Sequence, residues 1–154
     1  MKKEIVLLIF SILVISSFAS AEMIINQQPD EVYNLGDSVT VPITIKTIGG
    51  VSGTFSMDLL CGTKQINFYK NGVNLLPGEE KTMDASLVLN KETLGENVGK
   101  CKIKGVLGAE QPILTNEFKI SNLITVQPNI EETEFEPGQS ILIYGDATKE
   151  NGQP

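Results

Sequence analysis

The chain has 154 residues, of which 12 are basic and 19 acidic, for a net charge of −7, and it holds no histidine, arginine or tryptophan. That balance excludes a nucleic-acid binder, which needs a basic face, and electrostatic docking on anionic lipid. Without histidine, neither a Ser-His-Asp or Cys-His nucleophile system nor an imidazole zinc ligand can be assembled.

The N-terminus reads as a cleavable secretory signal. Lys2 and Lys3 supply a positive start, Ile5 to Ile15 is an apolar run broken only by Ser11, and Ala19-Ser20-Ala21 offers small residues to a signal peptidase, with the cut before Glu22. The alternative is an uncleaved anchor. An apolar stretch of about 14 residues makes only ~21 Å of helix, short of a ~30 Å hydrocarbon core, and cleavage is the better fit. No cysteine follows the run, so lipid attachment is not expected. Removal of residues 1–21 takes away Lys2, Lys3 and Glu4 and leaves 10 lysines against 18 acids, a net charge of −8.

From there the pattern is period-2 alternation with no convincing helical period. An opening strand lies near Met23 to Gln28. Val39, Val41, Ile43 and Ile45 face one way in Ser38 to Lys46, with Thr40, Pro42 and Thr44 opposed. Proline donates no ladder hydrogen bond, which predicts an edge strand or an interrupted ladder there. Phe55, Met57, Leu59 and Cys61 share a parity. Ile66 and Phe68 mark a further strand, and Asn71-Gly72 suits a tight two-residue turn. Pro77-Gly78 turns the chain before Met83, Ala85, Leu87 and Leu89. Cys101 and Ile103 alternate with Lys100, Lys102 and Lys104, between Gly99 and Gly105. Leu114, Asn116, Phe118 and Ile120 form the last inward row. Seven or eight short strands in about 100 residues, with turn signals at nearly every junction, predict an all-β antiparallel sandwich.

Each cysteine sits on the apolar face of its strand. In a seven-strand order Cys61 falls on the third and Cys101 on the sixth, antiparallel neighbours in one sheet. An exported chain with only these two favours a disulfide, with two buried thiols as the alternative.

The chain also begins the same pattern twice. Tyr33-Asn34-Leu35-Gly36-Asp37-Ser38-Val39-Thr40-Val41 matches Phe135-Glu136-Pro137-Gly138-Gln139-Ser140-Ile141-Leu142-Ile143 at an offset of 102 residues. An apolar stretch and a proline precede each copy: Met23-Ile24-Ile25 with Pro29, and Leu123-Ile124-Thr125-Val126 with Pro128. The expected division is a signal peptide at 1–21, a sandwich at 22–121 and the first strands of a second module at 122–154. Two strands cannot bury a sandwich core, so the sequence is expected to be the N-terminal piece of a longer protein. The alternative is a natural C-terminal tail pairing back on the first domain.

On the segments Tyr33 to Val39 and Phe135 to Gly145, continuing to Asn151-Gly152-Gln153-Pro154, the chain resembles tandem immunoglobulin-like repeats of prokaryotic (bacterial or archaeal) cell-surface proteins. The resemblance covers most of residues 22–154, and its motifs mark turns and strands rather than chemistry. It implies a stalk, scaffold or adhesive role. The absence of tryptophan and the cysteine positions depart from antibody-type domains, so recognition of that kind is not carried over.

Candidate chemistry is sparse. Gly49-Gly50-Val51-Ser52-Gly53 lacks the Gly-Lys-Ser/Thr ending of a phosphate loop and reads as a connection between strands. Glu131, Glu132, Glu134 and Glu136 lie between the modules, where tandem extracellular domains sometimes hold Ca²⁺. Asp30 and Asp37 flank the corresponding turn in the first copy. The spacing matches neither an EF-hand loop nor an Asp-rich calcium repeat, and a solvated acidic linker is the plainer reading. Lys100, Lys102 and Lys104 form an outward stripe that keeps a sheet face soluble, with an acidic surface polymer as its conceivable ligand; Tyr69 is a further contact candidate. The expectation is therefore a non-enzymatic, cofactor-free structural or adhesive protein, secreted or on the cell surface. Its partners would be its own neighbouring modules and other surface proteins or glycans, and a membrane only through a C-terminal anchor. The rival readings are a module that binds carbohydrate or protein, and the stalk of an enzyme whose catalytic domain lies beyond residue 154.

Overall fold

The computed structural model describes residues 21–95, 97–130, 134, 136–138 and 140–154 (Ile130 by its backbone alone). Residues 1–20 of the proposed signal segment, Ala19 among them, and the candidate calcium ligands Glu131 and Glu132 lie outside the described residues. The protein is an all-β sandwich. One sheet holds β1 (Ala21–Ile25), β3 (Ser38–Thr47) and β6 (Glu80–Val88), in the order β1-β3-β6. The second holds β2 (Val32–Asn34), β9 (Phe118–Ser121), β7 (Gly99–Leu107), β4 (Val51–Cys61) and β5 (Lys64–Leu75), in the order β2-β9-β7-β4-β5, with β8 (Ile113–Leu114) also on β7. Every pair is antiparallel except β2 on β9.

The alternation explains the layering. Val39, Val41, Ile43 and Ile45 of β3 are buried, as are Phe55, Met57, Leu59 and Cys61 of β4 and Met83, Ala85 and Leu87 of β6. A strand places successive side chains on opposite faces, so each of these rows delivers its apolar members to one core. Fully burying one such side chain is worth about 1.5–3 kcal/mol.

Several local expectations need correction. Pro42 is not on an edge strand, because β3 is central. The ladder is interrupted there instead: β1 ends at Ile25, and the Pro42 carbonyl accepts the Asn26 N–H at 2.9 Å. The missing proline donor thus falls where the neighbouring strand has stopped. Asn71-Gly72 is not a turn. Both residues lie inside β5, opposite Phe55 and Thr54, and the chain reverses at Gly62-Thr63 between Cys61 and Lys64. Val51 to Gly53, read as part of a connection, opens β4 and pairs with Leu75 to Val73.

The last expected strand is two strands. Leu114 is 53% exposed, and Asn116 also faces solvent, while Thr115 is buried. Thr115 Oγ1 accepts the Ile103 N–H at 2.9 Å and its own N–H bonds the Ile103 carbonyl at 2.9 Å. The threonine thereby takes up the β7 backbone where β8 has ended. Thr115→Val is expected to strand the Ile103 donor and cost about 1–3 kcal/mol. Denaturant unfolding checks this, and Thr115→Ser should recover most of the loss.

The inward row of β7 does not stop at Gly105; Leu107 continues it. At Gly105 a Cβ would sit 3.1 Å from Ile113 Cγ1 and 3.4 Å from Phe55 Cε2. The bare backbone leaves that volume to the Phe55 ring. A short helix, α1 (Lys91–Leu94), had no counterpart in the sequence reading. The Asn90 side chain caps it by accepting the Thr93 N–H at 2.8 Å, the Lys64 ammonium caps the far end on the Thr93 and Leu94 carbonyls, and Leu94 is buried.

After the sandwich, β10 (Ile124–Ile130) and β11 (Ile143–Lys149) form an antiparallel pair. The register places Val126 opposite Ala147 and Pro128 opposite Gly145, so Ile124, Val126, Pro128, Ile143, Gly145 and Ala147 share one face. That face is open to solvent: Ile124 is 62%, Val126 63% and Ile143 60% exposed.

Candidate functional site

Cys61 and Cys101 are bonded, with S–S 2.02 Å and Cα–Cα 4.3 Å. They sit directly opposite each other on the neighbouring strands β4 and β7, and both are buried. The bond is a cross-strand staple within one sheet. Ala21 opens β1 opposite Thr47, and Glu22 pairs with Lys46.

The densest polar arrangement lies where the sandwich meets the β10–β11 pair. The turn between β2 and β3 is closed by Asp37, whose carboxylate accepts the Asn34 N–H at 2.7 Å. This local bond turns the Asn34 amide toward the following segment. Asn34 is 2% exposed and engaged at both ends. Its Nδ2 donates to the Leu123 carbonyl at 3.0 Å and its Oδ1 accepts the Asn151 N–H at 3.1 Å. Asn151 Nδ2 donates to Asp37 Oδ2 at 2.7 Å, and Lys149 Nζ lies 3.3 Å from Asp37 Oδ1. Alongside, Lys119 pairs with Glu150, whose carboxyl also takes a hydrogen bond from Ser121. The Lys119 contact holds the Glu150 carboxyl below its ordinary value, the Ser121 bond adding to this.

A hollow of about 640 Å³ opens beside this contact, lined in part by Asp30, Glu31, Tyr33, Asp37 and Glu150. Tyr33 packs edge-on against Phe118 at 5.6 Å between centroids, and its hydroxyl accepts the Asp30 N–H at 3.0 Å. Burial pushes its phenol above the ordinary value. The Asp30 N–H opposes that rise, and the Asp30 and Asp37 charges add to it.

The second candidate is the outer face of the β9-β7-β4-β5 sheet. Lys100 pairs with Glu117 at 2.8 Å, an exposed contact that raises the ammonium and lowers the carboxyl through their hydrogen bond. Lys104 lies opposite Asp58, which is buried at the β4 bulge and accepts Gln65 Nε2 at 2.9 Å and Asn67 Nδ2 at 2.8 Å. Tyr69 packs edge-on against Phe55 at 6.1 Å, as a partly buried core neighbour. Of the candidate calcium ligands, Glu134 and Glu136 are exposed, and among the described residues no group of three or more His, Cys, Asp or Glu could hold a metal.

The sequence had marked Asp37 only as a turn flanker and Asn34 and Asn151 only as members of the repeated segments, and had not singled out Lys149. It gave no signal that residues 112 to 117 apart would meet.

No protein-family model matches the chain, and no curated protein does. Solved structures do match, at the level of the fold. A β-glucosidase from Listeria innocua aligns with TM-score 0.55 and 22% identity over 68% of this chain and 16% of its own. A β-glucosidase from Erythrobacter marinus aligns with TM-score 0.53 and 12% identity over 67% of this chain and 16% of its own. An alkylpurine DNA glycosylase from Pseudomonas fluorescens aligns with TM-score 0.53 and 12% identity over 66% of this chain and 30% of its own. The chain spans about one sixth of the length of the β-glucosidases it matches, and what it shares with them is the β-sandwich.

Proposed function

We propose that this chain is part of an exported, non-enzymatic structural or adhesive cell-surface protein, in which sandwich modules of an immunoglobulin-like repeat act in series as stalk, spacer or scaffold. The observation that supports this most is the structural echo of the sequence repeat. β10 pairs antiparallel with β11 as β1 does with β3, with the register moved by one residue, and the turn glycines at the 102-residue offset share their positive φ. Gly36 and Gly138 have φ of 97° and 91°, and Gly50 and Gly152 both have φ of 83°. Those values lie in the left-handed region that favours glycine. In the first copy the apolar face of this pair is part of the buried core; in the second copy the corresponding face is open to solvent. The Cys61–Cys101 staple fits an oxidising, extracytoplasmic setting.

A second reading draws on the β-glucosidase likeness: the sandwich as a non-catalytic part of a longer hydrolase. One experiment separates the two. Antibodies against residues 22–121 are applied to intact cells that carry the native protein, and the captured protein is assayed on β-glucosides. Surface labelling without hydrolysis supports the scaffold. Labelling that requires permeabilised cells, or glucoside hydrolysis, contradicts it.

A further inference from the structure

We propose that the turn Asn34–Asp37 and the turn that follows β11 form a purpose-built junction, which fixes the angle between the first module and its successor. The inference rests on reading β10–β11 as the start of a second module.

The contact is made by both backbone and side chains. Asn34 holds the connecting segment through the Leu123 carbonyl and the far turn through the Asn151 N–H, so one buried amide fixes two points of the following module. Asp37 adds the Asn151 amide and the Lys149 ammonium. The charges are crossed. The first module supplies the acid in Asp37–Lys149 and the base in Lys119–Glu150. A crossed arrangement resists sliding in either sense, because any shift brings like charges together.

The junction is also directional. At the 102-residue offset, Lys149, Glu150 and Asn151 correspond to Thr47, Ile48 and Gly49 of the first module. That turn has neither the ammonium nor the side-chain amide, and Ile48 is 80% exposed. The first module therefore cannot seat its own turn on the Asn34–Asp37 surface of another copy, and the surface is kept for the segment that follows it in the chain.

The test is backbone ¹⁵N relaxation and amide exchange on the chain from Glu22 to Pro154. The Asn151 amide should be protected, and β10–β11 should tumble with the first module. Lys149→Ala with Asn151→Ala should lower the protection of the residue-151 amide roughly tenfold or more, the loss of one or two net hydrogen bonds, and free β10–β11, with the signals of β4 and β5, away from the contact, unmoved. Lys119→Glu and Glu150→Lys should each loosen the contact, and the two together should restore it. Independent tumbling of β10–β11 in the unaltered chain, or protection and coupling that survive Lys149→Ala/Asn151→Ala, would overturn the junction. So would a charge exchange that fails to restore it. The module reading fails differently: a downstream continuation that builds no second sheet would refute it, whatever the state of the Asn151 amide.

Discussion

Loss of the Cys61–Cys101 bond is expected to be among the most damaging single changes to the first module. The cysteines are 40 residues apart, and a cross-link of that span removes chain entropy from the unfolded state worth about 4 kcal/mol. Little opposes it. The two strands are already paired in register, so reduction leaves the β4–β7 ladder in place, and the thiols remain small buried hydrophobes. The effect should therefore lie mainly in the unfolded state. Against a typical domain stability of about 5–15 kcal/mol, this is a large fraction. Comparison of the oxidised protein with Cys61→Ala/Cys101→Ala by thermal circular dichroism should show Tm falling by roughly 15–30 °C with the folded spectrum unchanged. A fall of only a few degrees would mean that the staple adds little to the ladder beneath it.

Phe55→Ala should cost about 3–5 kcal/mol, the range for deleting a fully enclosed ring. Its ring lies against the bare backbone of Gly105, beside Ile113 and edge-on to Tyr69. Those neighbours belong to three other strands, β5, β7 and β8, and cannot all collapse into the void. The same geometry predicts non-additivity. Gly105→Ala should destabilise the natural protein, because its Cβ meets Ile113 at 3.1 Å and Phe55 at 3.4 Å. Beside Phe55→Ala its cost should shrink, since one of the two obstructing groups is gone. Chemical denaturation of the two single variants and the double variant reads the coupling. Strict additivity would place the ring elsewhere.

What could be read from the residues follows from how local each cause is. Val39, Val41, Ile43 and Ile45 carry their own parity, and the cysteines inherit theirs from Met57, Leu59 and Ile103, so the core and the staple were legible. Asn71-Gly72 misled because turn chemistry is permissive rather than compulsory. On the edge strand β5 nothing forbids an extended Asn-Gly, and the reversal went to Gly62-Thr63. Leu114 misled for the opposite reason. Its strand lasts two residues, and the hydrogen bonds of Thr115 to Ile103 reset the face that follows. Helix α1, with four residues, is too short to show a period. The repeat was visible as a pattern. The junction was not, because Asn34, Asp37 and Asn151 are ordinary turn residues until the fold brings them together.

The central claim is that residues 22–121 are a self-sufficient module and that β10–β11 belong to another. Its most direct test compares residues 22–121 with residues 22–154 by thermal unfolding and by binding of the dye ANS. The shorter chain is expected to keep its Tm within a few degrees. The ANS signal from the open Ile124, Val126 and Ile143 face, present in the longer chain, should disappear. A first module that unfolds without residues 122–154 would contradict it, and would make β10–β11 a structural tail of the single sandwich.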